Sequence, residues 1–263
     1  ELSYNNLLDF DAALRLSSAF TEPAAVVIKH TNPCGVARAE KAAGALRDAI
    51  AADPVSAFGG IVGVNREFDE ECARAVGELF LEVIAAPRFS SAAIEFLRKK
   101  KNLRLVTATG LTRREEIRSA AGGYLLQSSD IVSPRSEWKI VTEKHPAGAD
   151  MAGLEFAWIV CAHVKSNAIV ITGERQSIGI GAGQMSRVDA AKVAIMKATV
   201  PTKGAYAASD AFFPFRDGLD VLADAGVAAI IQPGGSVRDD EVIAAANERS
   251  ISMVFTGERH FRH

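Results

Sequence analysis

The chain has 263 residues, 30 basic and 32 acidic side chains, and a formal net charge of −2. That balance gives no general attraction to nucleic acid or to acidic membranes, so an anionic ligand must be held by a local cluster of Lys, Arg and helix ends. Cys34, Cys72 and Cys161 are widely spaced with no C-x-x-C pair, which argues against a disulfide framework or a cysteine zinc site and for a reduced, cytoplasmic setting. No run approaches the roughly 18 apolar residues of a membrane span, and no signal peptide opens the chain. The length allows one large domain or two linked ones with ample core. The first residue is Glu1 rather than Met, which suggests a piece of something longer.

In chain order, the helical spacing of Leu7, Leu8, Ala12, Leu16 and Ala19 predicts a helix over 7–20 with Asn5 and Asn6 as its cap. An apolar β-branched run, 25–28, predicts a buried strand that ends in Lys29 and His30 before a turn formed by Asn32, Pro33 and Gly35. An Ala-rich helix over 39–52 stops before Asp53-Pro54, because the residue ahead of proline disfavours helix. A strand at 61–64, a helix near 69–80, a strand at 83–86, a helix at 90–101 and a strand at 103–107 follow. This alternation argues α/β architecture with a largely parallel sheet. The basic run 98–101 reads as a solvated helix end.

Between Gly110 and Ala147 the pattern weakens around a strand at 124–127, and this reads as a junction between two halves. The second half restarts with a helix at 154–163, strands at 168–172 and 177–181, and a helix at 188–197. Helix-strand pairs follow around 219–231 and 239–255. Alternate glycines in 179–183 lack the context of a dinucleotide site and read as a tight strand-to-helix turn. Each half places a Pro- and Gly-bearing turn after an apolar strand, Asn32-Pro33-Cys34-Gly35 and Gln232-Pro233-Gly234-Gly235, an echo that suggests a duplicated unit.

Lys29 and His30 put two proton-handling groups side by side at the carboxyl end of a strand. In open α/β sheets that edge binds ligands, because loops converge there with the N-terminus of the following helix. The alternative is a strand that ends in two solvated polar residues.

The block Lys29-His30-Thr31-Asn32-Pro33-Cys34-Gly35 resembles the catalytic loop of the AICAR transformylase family, folate-dependent formyltransferases usually joined to an IMP cyclohydrolase domain. Further matches run along the chain in order: 2–11 (LSYNNLLDFD), 53–60 (DPVSAFGG), 164–167 (VKSN), 179–189 (GIGAGQMSRVD), 209–218 (SDAFFPFRDG), 232–239 (QPGGSVRD) and 259–263 (RHFRH). The resemblance implies two tandem cytidine-deaminase-like α/β/α subdomains, 1–146 and 147–263, and transfer of a formyl group from 10-formyltetrahydrofolate to the 5-amino group of AICAR. It implies Lys29, His30 and Asn167 in catalysis, and Gly59, Glu82, Arg187, Phe212, Arg259 and His263 at the substrate. Val188, Ala211 and Pro214 would meet the folate, and Ser166 and Asp210 would lie near a structural potassium ion. A homodimer with shared active sites is implied as well.

The chemistry of these residue types agrees. An aromatic amine is a poor nucleophile and negative charge builds on the formyl oxygen, so a base and a cationic or hydrogen-bonding group are both needed. His30 suits the first task and Lys29 the second, although the sequence leaves their division open. Arginine's fork suits a phosphate and an Asn side chain suits a carboxamide. Cys34 reads as a small buried thiol rather than a nucleophile.

A zinc nucleobase deaminase, the other enzyme of that fold, needs P-C-x-x-C, and here Pro33-Cys34 is followed by Gly35, Val36 and Ala37, so a ligand is missing. A third reading is a non-catalytic purine nucleotide or folate-binding fragment. The family's Arg-Tyr-Gly substrate segment lies upstream of 2–11, and weakened AICAR affinity is then expected.

Overall fold

The computed structural model describes residues 1–109 and 115–263; the first residues of the expected junction, 110–114, lie outside the described residues. The first half runs α1 (Tyr4–Ser18), β1 (Ala24–Lys29), β2 (Asn32–Arg38), α2 (Ala42–Ala52), the short α3 (Pro54–Ala57), β3 (Gly60–Val64), α4 (Glu70–Val76), β4 (Leu81–Ala86), α5 (Ser91–Leu97) and β5 (Arg104–Thr107). A ribbon of β6 (Glu115–Ala120) and β7 (Gly123–Ser128) and the short β8 (Lys139–Ile140) follow. The second half runs α6 (Gly148–Cys161), β9 (Ile169–Thr172), β10 (Ser177–Gly181), α7 (Arg187–Lys197), β11 (Tyr206–Ser209), α8 (Asp217–Asp224), β12 (Ala229–Gln232), α9 (Asp239–Glu248) and β13 (Ser252–Phe255).

The two halves repeat one topology. The first sheet has the order β2-β1-β3-β4-β5, the second β10-β9-β11-β12-β13-β8. In each, a central strand pairs antiparallel with both neighbours and three strands then run parallel. The fold is therefore α/β, with mixed sheets rather than largely parallel ones. β8 pairs with β13 in the second sheet, although it precedes residue 147, where the second half was expected to begin. The echo between 32–35 and 232–235 does not reflect the repeat, because β1 corresponds to β9 whereas β12 corresponds to β4.

The packing follows from strands buried on both faces, which read as unbroken apolar runs. Along β1, Val26 and Ile28 join an inner cluster with Leu16 of α1, Trp158 of α6 and Val170 of β9. Ala25 and Val27 point the other way, to an outer cluster with Leu46, Cys72 and Leu97 from α2, α4 and α5. Ile169 and Ile171 mirror them beneath α7, α8 and α9. α1 and α6 thus lie between the sheets, with Phe20 and Phe156 in ring contact at 5.5 Å.

Several expected boundaries shift for local reasons. α1 begins at Tyr4, because Ser3 is the cap and Asn6 closes the capping box from inside the helix. α4 stops at Gly77, whose φ of 55° suits glycine, so Phe80 is in the loop that leads to β4. Gly179 and Gly181 are strand residues rather than a turn: a Cβ would fall 2.0 Å from Ala194 O and 1.9 Å from Ala190 O, so α7 lies directly against bare backbone. β6 and β11 were not expected.

Candidate active site

β1 ends at Lys29, and the chain reverses through His30 and Thr31, which have φ values of 51° and 64°. Asn32 then pairs back to Lys29, so 32–38 is strand β2 rather than a turn. Positive φ at both loop residues is what a two-residue hairpin needs to match strand twist. His and β-branched Thr pay a steric cost there that Gly or Asn would not, on the order of 1 kcal/mol each. The Thr31 N–H donates to Asp9 Oδ1 at 2.6 Å, which anchors the turn to α1. The His30 ring is exposed at the hairpin tip.

Lys29 is at the carboxyl end of β1, but β1 is antiparallel to β3, so this edge carries the amino ends of β3 and β4. The end of α2, at Ala52, and the start of the four-residue α3, capped by Asp53, both lie there, and the C-terminus of the longer α2 favours a cation. Lys29 Nζ donates to Phe58 O at 2.5 Å. Gly59 follows at a φ of 70°, and a Cβ there would lie 3.1 Å from Lys29 Nζ. Phe58 and Phe80, both exposed, make a tilted ring contact with centroids 5.4 Å apart beside this turn.

The edge strands of the two sheets, β2 and β10, meet at the end of β2 away from Lys29. Ala37 bridges Gln176, and the Val36 N–H donates to Ser177 Oγ at 2.9 Å. Nearer Lys29 a cavity of about 200 Å³ opens between them, lined by Lys29, Asn32, Cys34, Asp53, Ser56 and Lys197 among others. Burial, reinforced by Asp53, pushes the Cys34 thiol up to about 12, so it is no nucleophile at neutral pH. Burial also pushes the Asp53 carboxyl up, but hydrogen bonds from Lys197 and Ser56 outweigh it and hold the group below its ordinary value.

A second cluster forms where β9 starts and β11 ends. Arg187 is 7% exposed; Nη2 donates to Asn167 Oδ1 at 2.8 Å, and Nη1 donates to Ser209 Oγ at 2.9 Å and to fully buried Asp210. Asn167 Nδ2 donates to Gln184 O at 2.9 Å. Arg187 thus acts as a clamp on Asn167 through Nη2, with Nη1 held by Ser209 and Asp210. Ala211 is buried and its carbonyl accepts from Ser209 Oγ at 2.7 Å. Phe212 is half-buried, Phe213 belongs to the core and Pro214 is exposed. Half-buried Val188 packs on the same side, with its amide 4.0 Å from a Cβ built at Gly218, which also touches Phe213.

Asp210 also accepts from Ser166 Oγ and, at 3.1 Å, from the Ala168 N–H. Arg187 and the Ala168 N–H take Oδ1, whereas Oδ2 has only Ser166 Oγ among the described residues, so the Ser166–Asp210 pair retains an oxygen lone pair of the kind a monovalent cation takes. No group of three or more His, Cys, Asp and Glu side chains is gathered for a metal among the described residues.

One hydrogen bond ties the clusters: the Lys165 N–H donates to Asn32 Oδ1 at 2.9 Å. Lys29 and Gly59 thus share an edge with Asn167 and Arg187, through Asn32 and Lys165, whose bridging role the sequence did not signal. Glu82 is the second residue of β4, near that edge, and Asn6 Nδ2 donates to it at 2.5 Å. Arg259 and His263 are exposed. Arg259 stacks on Phe261 at 5.1 Å, and the Arg262 carbonyl accepts from the Ser166 N–H at 2.8 Å, so their run passes the second cluster.

Fold and site together define a doubled α/β protein in which a strand-end cation and a buried arginine–amide cluster meet across the repeat boundary. The chain belongs to the AICARFT/IMPCHase bienzyme family, which it matches over residues 1–197. It is 51% identical over 268 residues to the bifunctional purine biosynthesis protein PurH of Desulfitobacterium hafniense, covering 100% of this chain and 52% of that protein. It is 51% identical over 281 residues to the protein of that name from Magnetococcus marinus, covering 100% and 53%. The chain therefore spans about half the length of these relatives.

Proposed function

We propose that this chain works in purine biosynthesis, in the cytoplasm, and transfers the formyl group of 10-formyltetrahydrofolate to the 5-amino group of AICAR, giving FAICAR and tetrahydrofolate. The observation that carries the reading is the Asn32–Lys165 bond, because it joins a cationic strand end to an arginine-held amide on one edge. The amine nitrogen attacks the formyl carbon, the bond from that carbon to N10 of the folate breaks, and the amine proton passes through a base to the departing nitrogen. In this reading His30 is the base. Lys29 has three donors and uses one on Phe58 O, leaving two for the developing oxyanion. Asn167 would meet the carboxamide, and Phe58 with Phe80 offers an aromatic wall for a heterocycle. Gly59, Glu82, Arg187, Phe212, Arg259 and His263 would complete the nucleotide's surroundings, and Val188, Ala211 and Pro214 those of the folate.

Tetrahydrofolate release by the wild type and by His30→Ala tests this. A loss on the order of a hundredfold or more is expected; an unaffected rate removes His30 as the base. A wild type that binds AICAR and folate without turnover would favour the non-catalytic fragment instead.

A homodimer is part of the proposal, as is a cyclohydrolase domain in the parent protein. The β6–β7 ribbon leaves Ile117 70%, Tyr124 81%, Leu125 60% and Leu126 62% exposed, and a two-stranded ribbon needs packing to be stable. Sedimentation should give twice the chain mass; a monomer with full activity counts against shared sites.

A further inference from the structure

Lys29 shares its cavity with one carboxylate and one other ammonium group, those of Asp53 and Lys197. Asp53 caps α3: Oδ1 accepts the Ser56 N–H at 2.9 Å and Oδ2 accepts Ser56 Oγ at 2.6 Å. α3 leads into Phe58 and Gly59, the turn that holds Lys29 Nζ. Lys197 comes from the other repeat and donates to Asp53 Oδ2 at 2.8 Å and to Ser56 Oγ at 3.0 Å. Beside it, Thr199 Oγ1 donates to Ala52 O at 3.1 Å. Lys197 is the last residue of the 11-residue helix α7, whose first residue is Arg187. At about 1.5 Å per residue the helix reaches roughly 16 Å, from the clamp on Asn167 to the carboxylate beside Lys29.

A carboxylate lining the same cavity as a catalytic ammonium is a hazard, because it competes with substrate for the same charge. Lys197 supplies a counter-ion that takes Asp53 out of that competition. The Lys197 side chain is 42% exposed, and half-exposed pairs contribute little to overall stability, so the arrangement makes sense as positioning rather than as a brace.

We propose that Lys197 is a positioning residue: by keeping Asp53 occupied from the second repeat, it leaves Lys29 on the Phe58 carbonyl with its remaining donors facing substrate. This rests on Lys29 being the cation of the proposed reaction. In Lys197→Met, Asp53 turns to Lys29 as its nearest alternative cation in the cavity. Adding Asp53→Asn to Lys197→Met removes the competitor while keeping a side-chain cap for Ser56, so it should restore what the single change takes away.

The experiment uses wild type, Lys197→Met, Lys197→Arg and Lys197→Met with Asp53→Asn. Two readouts are formyl-transfer kinetics and the rate at which acetic anhydride acylates Lys29, followed by peptide mass spectrometry. Lys197→Met should lower kcat by about tenfold or more with the Michaelis constant for AICAR within about twofold, and Lys197→Arg should stay near wild type. The double variant should return to within about threefold of wild type. Lys29 acylation should slow in Lys197→Met and recover in the double variant. A double variant as slow as, or slower than, Lys197→Met overturns the proposal, since a structural brace would not be rescued by losing its second half. Equal Lys29 acylation in all four proteins overturns it too. The acylation readout stands if the wild type has no formyl transfer, which separates failure of this proposal from failure of the reaction assigned above.

Discussion

The two repeats share strand order and connectivity yet use opposite edges of their parallel strands. The second repeat follows the usual rule for α/β sheets: Ser209 and Asp210 leave the carboxyl end of β11, and α7 opens beside them with Arg187. The first repeat breaks that rule, with Lys29 at the amino edge of β3 and β4 and the end of α2 for company. The difference shows in the charges. Arg187 is buried and matched by Asp210, whereas Lys29 is half-buried and holds only a backbone carbonyl. One repeat provides a rigid scaffold and the other a cation with donors to spare.

The largest expected effect tests that division. Arg187→Met leaves the fully buried Asp210 carboxylate without its counter-ion, and breaking a buried pair from one side costs about 3–5 kcal/mol. Lys29→Met, losing one bond at a half-buried site, should cost under about 1 kcal/mol. Urea unfolding of the two variants checks the contrast, and equal losses would erase it.

Next come the glycines under the helices. A Cβ at Gly35 would fall 1.9 Å from Ala49 O in the first repeat, and one at Gly179 would fall 2.0 Å from Ala194 O in the second. Backbone cannot move aside as a side-chain tip can, so Gly35→Ala and Gly179→Ala should each cost about 1–3 kcal/mol through overpacking. Similar losses would mean that the strand-helix contact is conserved between the repeats in energy as well as in shape; a neutral Gly179→Ala would show that α7 can lift away.

These contacts also mark what the sequence disclosed. β1 and β9 were legible because unbroken apolar runs and flanking polar residues bounded them, and α7 because its spacing was regular. The hairpin at 30–31 was hidden, since neither His30 nor Thr31 announces positive φ and the Pro-Gly signal sat two residues later, inside β2. That misplacement also put Lys29 on the wrong kind of edge, because strand direction relative to β3 is set by tertiary pairing. Asn32 looked like a turn residue; its partner Lys165 is 133 positions away, beyond the reach of any local pattern. The alternate glycines at 179–183 were visible, but only the helix lying on them shows why they are small.

The hairpin itself supplies a smaller effect. The second repeat joins β9 to β10 through the longer loop 173–176, closed by the Gly173 N–H donating to Gln176 O at 2.8 Å, whereas the first uses two residues at positive φ. Thr31→Asn fits that backbone better and keeps the amide bonded to Asp9, so thermal unfolding should show a gain of about 0.5–1 kcal/mol. If stability rises while turnover falls, the strained turn matters for how His30 is presented. If both stay level, the turn carries no strain worth relieving.

The smallest effect concerns His163, which follows α6 just ahead of Lys165. Burial, assisted by the Arg262 guanidinium, pushes its imidazole down to about 4 from an ordinary 6.5, and Nδ1 lies 2.8 Å from Ile159 O. The folded protein therefore keeps this ring neutral where the unfolded chain would protonate it. Its contribution is fully present above about 6.5 and is lost as pH falls toward about 4, because the unfolded state binds the extra proton across that window. Carboxylates add their own acid sensitivity, so the useful quantity is a difference between two proteins. His163→Gln retains a side-chain donor for the Ile159 carbonyl but cannot titrate, so its stability should fall less steeply than that of wild type between those limits. Parallel stability-pH curves would mean that His163 titrates alike in folded and unfolded chains, and that the end of α6 is more open to water than its packing implies.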